Sequence, residues 1–128
     1  MKILEEQQMF LDFRKELDTM CFPVLEKWAE RSRKGTMKTM YCNGQKVGFL
    51  MVIDGYVEGI YVKPEYRRQG IAEQAVKDYV DNGGLIDRLH IIKGNDPAWK
   101  FWHKLFDLII IDECDVDRLY SVERKRWT

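Results

Sequence analysis

The spacing of apolar positions changes along the chain, and each change predicts a different element. Phe10, Phe13, Leu17 and Met20 recur at helical intervals and predict an amphipathic helix over residues 5–19. Pro23 suits the first turn of a second helix, with Val24, Leu25, Trp28 and Ala29 on one face. Gly35, after Arg31-Ser32-Arg33-Lys34, supplies its stop. The texture then becomes that of strands. Residues 36–42 and 47–53 flank Asn43-Gly44, a hairpin signal, and Asp54-Gly55 leads into a third strand over 56–62 that ends before Pro64. Beyond it, Ala72, Ala75, Val76, Tyr79 and Val80 form a helical stripe closed by Asn82-Gly83-Gly84. Residues 85–92 read as a strand, 96–106 as a helix, and 108–114 with 118–122 as a closing antiparallel pair. A strand, crossover helix and strand imply one parallel pairing inside an otherwise antiparallel sheet. The expected class is α/β, with a mixed, mostly antiparallel sheet and flanking helices. Only Ile3-Leu4 suggests a strand before the first helix, so that edge of the sheet is left open to pairing in a homodimer.

Composition adds boundaries. The 128 residues read as a single domain over 1–128, and 45% hydrophobic with 33% charged residues excludes a disordered chain. Lys plus Arg balances Asp plus Glu at 21 each, so no overall field draws the chain to nucleic acid or anionic lipid. Any anion site has to be local. The longest apolar stretch, residues 105–111, is interrupted by Asp107 and too short to span a bilayer, and the N-terminus lacks the apolar region of a signal peptide. Cys21, Cys42 and Cys114 form no C-x-x-C pair and read as reduced thiols of a cytoplasmic protein, with Cys42 and Cys114 as buried packing thiols. His90 and His103 are too few for the common zinc patterns, and no metal is expected. Phosphate-loop, dinucleotide and metalloprotease signatures are absent from the sequence.

The informative segment runs from Glu58 to Ala72: a strand, the basic loop Glu65-Tyr66-Arg67-Arg68-Gln69-Gly70, and a helix start. First-turn N–H groups and the helix dipole favour an anion, Gly70 lets backbone approach it, and Arg67 and Arg68 add full charges. These effects converge on a pyrophosphate. A solvated turn with two surface arginines accounts for the same residues. Gly59, inside a strand, marks either a bulge and close approach or a weak point in an edge strand.

The stretch resembles the acetyl-CoA-binding motif of the GNAT N-acetyltransferase superfamily, R/Q-x-x-G-x-G/A, with Arg67, Gly70 and Ala72 in the specified places. The preceding Ile60-Tyr61-Val62-x-Pro64-x-Tyr66 is also family-like, and Asn95-x-x-Ala98-x-x-Phe101-Trp102-x-x-Leu105 is similar to the family's N-x-x-A-x-x-F-Y-x-x-L-G-F segment. The resemblance covers roughly residues 36–124. It implies acetyl-CoA as co-substrate. Strand backbone at Ile60, Tyr61 and Val62 would line the pantetheine arm, and Arg67, Arg68, Gln69, Gly70, Ile71 and Ala72 would hold the phosphates. Asn95 and Trp102 would approach from the second helix.

Two departures bear on chemistry. Trp102 stands where many relatives carry a tyrosine that protonates the departing thiolate, and Phe106-Asp107 replaces the terminal Gly-Phe. Indole donates no such proton. Trp102 then either packs on the pantetheine arm or is an ordinary aromatic, with Tyr120 as a substitute acid. Glu58 matches a place where the family often carries an acid; it reads as a proton relay through water or as a strand carboxylate paired with a neighbouring cation. The implied reaction is direct acetyl transfer to the amine of a small molecule or peptide. Two other classes remain open on sequence: a non-catalytic CoA-binding module, and an interaction protein whose basic loop meets another anion.

Overall fold

The computed structural model describes residues 8, 9, 12, 13 and 36–127. The helix predicted over 23–35, most of that over 5–19, and the Ile3-Leu4 strand lie outside them. The described chain runs β1 (Thr36–Cys42), β2 (Gln45–Ile53), β3 (Tyr56–Val62), α1 (Ile71–Asp81), β4 (Arg88–Ile92), α2 (Asp96–Leu105), β5 (Phe106–Glu113) and β6 (Asp117–Arg124), with one 3-10 turn at Pro64–Tyr66. The sheet order is β1-β2-β3-β4-β6-β5, and every pairing is antiparallel except β3 with β4. The mixed α/β class and the single parallel pairing are as the pattern predicts.

Local chemistry explains the joints. Asn43-Gly44 and Asp54-Gly55 all take positive φ, the conformation that two-residue hairpins matching strand twist demand. Helix α1 ends where Asn82 donates back to the Asp78 carbonyl. Helix α2 is capped by the Asn95 side chain, which accepts from the Ala98 N–H at 3.2 Å, with Pro97 in its first turn. It stops without a glycine: Phe106 swings to an extended φ of −139° and opens β5 directly.

The two faces of the sheet are covered differently. On one, Val76 of α1 and Trp102 and Leu105 of α2 pack with Leu50, Val52, Leu89, Phe106, Tyr120 and Val122. On the other, Met9 and Phe13, one helical turn apart, pack on Phe49, Met51 and Tyr61. Phe13 meets Phe49 and Tyr61 edge-on at centroid distances of 5.5 and 5.9 Å.

Two expectations are corrected. Cys114 is not buried: it lies exposed at the β5–β6 turn, its thiol 3.2 Å from the Asp117 carboxylate, while Cys42 is half-buried against the core. The second concerns the charged run Glu123-Arg124-Lys125-Arg126, which reads from the sequence as a solvated tail but is packed. Trp127 donates to the Leu105 carbonyl, Arg124 pairs with Asp81 and lies over the Trp127 ring, and Lys125 donates to the His103 carbonyl. The tail therefore ties β6 to both helices. At the far turn, Arg118 and Lys93 hold the Glu113 carboxyl below its ordinary range. The stability this contributes is present above the unfolded pKa and is lost as pH falls through the lowered folded value.

Candidate functional site

The site is built where β3 leaves the sheet. Strands β3 and β4 pair in register only at Tyr56 and Arg88. That end is pinned: Asp87 and Arg88 N–H groups donate to the Gly55 carbonyl, and the Arg88 guanidinium donates to the Asp54 carbonyl at 2.9 Å. Tyr56 and His90 side chains meet across the same junction at 2.6 Å. Beyond it the parallel register stops, so β3 and β4 separate toward Val62 and Ile92.

A bulge turns β3 at this point. Opposite Met51 and Val52 of β2 stand Gly59 and Val57, so Glu58 is the extra residue. Val57 and Ile60, three apart, consequently pack into the same core cluster. Gly59 thus adjoins the bulge that its place in the strand signalled.

The loop that follows is shaped by backbone. Tyr66 closes the 3-10 turn and donates from its hydroxyl to Gln45 at 3.0 Å. Arg67 folds back, Nε donating to the Val62 carbonyl at 2.7 Å and the guanidinium lying 5.4 Å from the Tyr61 ring centre. Arg68 and Gly70 both take left-handed φ, 64° and 76°. Gly70 is the N-cap of α1 and brings no side chain to its first-turn N–H groups. Uncapped N–H groups beside two arginines form a concave donor surface suited to phosphate.

These parts line a groove of about 670 Å³. Its walls include Ile60, Tyr61, Val62, Arg67, Arg68, Gly70, Ile71, Ala72 and Asn95 of the sequence-derived set, brought together from β3, the loop and the starts of both helices. Gln69 is exposed on the loop, its amide 3.4 Å from the Glu65 carbonyl, and is not among the lining residues. Trp102 does not line the groove either: it is 5% exposed and stacks on Phe101 at 4.9 Å. Phe101, the specified aromatic of the same helix, presents to the groove instead. Tyr120 is buried in the helix-covered core and is not among the lining residues. Glu58 sits at the bulge, two residues before the lining begins. Sequence reasoning missed Tyr66, Glu73 and Lys104 as groove residues. For Glu73 and Lys104 the available signal was their place on the two helices whose starts carry the motifs.

The profile of the acetyltransferase (GNAT) family matches residues 3–107. The chain belongs to the GNAT family. Among curated proteins, the E. coli K12 protein called "Uncharacterized N-acetyltransferase YafP" is 33% identical over 54 residues, 42% of this chain. That match spans 36% of the relative, about a third of its length. Among solved structures, a GNAT family acetyltransferase from Elizabethkingia anophelis with acetyl-CoA bound superposes with a TM-score of 0.63 at 17% identity, covering 79% of this chain and 84% of that one. The ribosomal-protein-S18-alanine N-acetyltransferase from E. coli gives 0.63 at 18% identity, covering 99% and 94%. At such identities the structures establish that the GNAT fold is shared. Among the described residues, no cluster of three or more metal-ligating side chains is found, and no helix is long and apolar enough to cross a membrane.

Proposed function

We propose that this GNAT domain is an N-acetyltransferase that binds acetyl-CoA in the groove and transfers its acetyl group directly to an amine of a small molecule or peptide. The observation that carries the reading is the convergence on one groove of separated strand backbone at Ile60–Val62, the Arg67–Gly70 loop and the uncapped start of α1. Each suits one part of the ligand. Strand-like backbone matches the amide-bearing pantetheine arm, and the donor-rich loop matches the pyrophosphate. Acetyl-CoA in the Elizabethkingia relative supports the same assignment.

The chain's own residues then have definable tasks. Main-chain N–H groups near Ile60–Val62 would meet the negative charge that develops on the thioester oxygen as the amine attacks. Attack needs a neutral amine. Keeping an alkylamine of pKa about 10.4 neutral at pH 7 costs roughly 4.6 kcal/mol, against about 1 for an α-amine near 7.8. Glu58, the extra residue of the bulge in β3, would take that proton through water. Tyr120, buried outside the groove lining, has no such placement, and a thiol pKa of about 8.5 makes the thiolate a tolerable leaving group without an acid. Holding amine and thioester together supplies up to about 7–11 kcal/mol of the remaining acceleration.

Thermal unfolding with and without acetyl-CoA tests the reading. Ligand at a hundred times its dissociation constant is expected to add roughly 2.7 kcal/mol of stability. No shift at millimolar acetyl-CoA would remove the acetyltransferase assignment; a shift without turnover on a broad amine panel would indicate a CoA-binding module instead. Once an acceptor is found, Glu58→Gln is expected to slow transfer to alkylamines by about 10²-fold or more and to α-amines much less. Equal, small effects on both classes would show that the proton leaves by another route.

A further inference from the structure

The groove contains an ion pair that no phosphate-binding loop requires. Glu73, in the first turn of α1, and Lys104, in the last turn of α2, both line it, and their charged atoms lie 2.9 Å apart. The pair bridges two helices. Each charge suits its helix end, carboxylate at the positive terminus and ammonium at the negative one. Yet Glu73 places a negative charge on the wall where phosphates are expected.

Resting on the acetyl-CoA reading above, we propose that Lys104 is a phosphate-binding residue for the nucleotide end of the ligand, held on Glu73 until a phosphate takes its place. Three features carry this. First, Lys104 is movable: its side chain is 71% exposed, and an exposed ion pair is weakly held. Second, Glu73 is not abandoned when Lys104 leaves, because Lys77, one turn along α1, lies 3.8 Å from the same carboxylate oxygen. Third, Arg67 is already engaged with the Val62 carbonyl and the Tyr61 ring, so a mobile cation at the mouth complements a fixed one at the loop. A phosphate carries more charge than a carboxylate and accepts stronger charge-assisted hydrogen bonds, which favours the exchange.

The test measures binding, by calorimetry or thermal shift, of acetyl-CoA, its 3′-dephospho form and S-acetylpantetheine to wild type, Lys104→Met and Glu73→Gln. Lys104→Met is expected to weaken acetyl-CoA about tenfold, the scale of one exposed charge-assisted contact, and to leave S-acetylpantetheine unchanged. Glu73→Gln is expected to bind acetyl-CoA a few-fold more tightly, because it removes a like charge and frees Lys104. Loss of the Lys104→Met effect with the 3′-dephospho ligand assigns the contact to the 3′-phosphate; its persistence assigns it to the pyrophosphate. Wild-type affinity of Lys104→Met for acetyl-CoA overturns the proposal while leaving the acetyl-CoA site intact. So does an equal loss for S-acetylpantetheine, which marks a disturbed groove rather than a lost phosphate contact. Absence of acetyl-CoA binding to wild type overturns both.

Discussion

Replacing Gly48 with valine is expected to destabilise the protein by about 3–5 kcal/mol, the scale of backbone overlap in a packed interior. Gly48 lies on β2, which is paired on both sides: with Met40 of β1 and Val62 of β3. A Cβ built there would overlap the Tyr61 carbonyl oxygen and stand 3.1 Å from the Val62 Cα and 3.2 Å from the Met40 sulfur. The methionine can turn aside; the β3 backbone cannot move without breaking its ladder. The effect extends to the site, because the Val62 carbonyl that β3 presents is the acceptor for Arg67. Gly48→Ala is therefore expected to be damaging as well, and to weaken acetyl-CoA binding by displacing the groove wall. Chemical denaturation of both variants reads the stability. A loss under about 1 kcal/mol for the valine would mean that β2 and β3 are not packed at this spacing.

The second large effect is on ligand rather than fold. Gly70→Glu is expected to abolish stabilisation by acetyl-CoA, a loss of at least about a hundredfold in affinity, while costing the ligand-free protein only about 1–2 kcal/mol. The smaller cost arises because an L residue at φ 76° is strained, although nothing lies within 4 Å of the added Cβ. The larger one arises because a carboxylate would stand at the start of α1, among the donors intended for phosphate. Gly70→Ala separates the two: it pays the backbone strain without the charge and should retain most of the ligand-induced shift. Matching thermal scans of the three proteins, with and without acetyl-CoA, decide it. An unchanged ligand shift in Gly70→Glu would move the phosphate site away from this loop.

Much of this was legible because it is local. Asn-Gly and Asp-Gly fixed both hairpins, and the strands predicted at 36–42 and 56–62 have the observed bounds. The basic loop and helix start fall where periodicity placed them. Failures cluster where tertiary pairing decides. Leu85 and Ile86 are apolar enough to open a strand, yet Leu85 is exposed and the Asp87 N–H donates to the Gly55 carbonyl, so β4 starts only at Arg88. Strand β5 begins two residues earlier than its apolar run because Phe106 is drawn into the core. In the site, the groove-facing choice between Phe101 and Trp102 depends on the rotation of α2, which two adjacent aromatics do not reveal. Long-range partners such as Glu73 with Lys104 and Arg124 with Asp81 leave no mark at sequence spacing.

The single register pair between β3 and β4 has a consequence for how the domain unfolds. Strands β1–β3 and β4–β6 each form a continuous hydrogen-bonded ladder, but backbone pairing between the two halves is confined to one end. Helix packing must therefore carry most of the cooperativity between them, and the halves are free to open with different free energies. A ligand whose amides lie along the separated strands would act as an additional β-strand, adding to ligand linkage a mechanical coupling that makes two foldons behave as one.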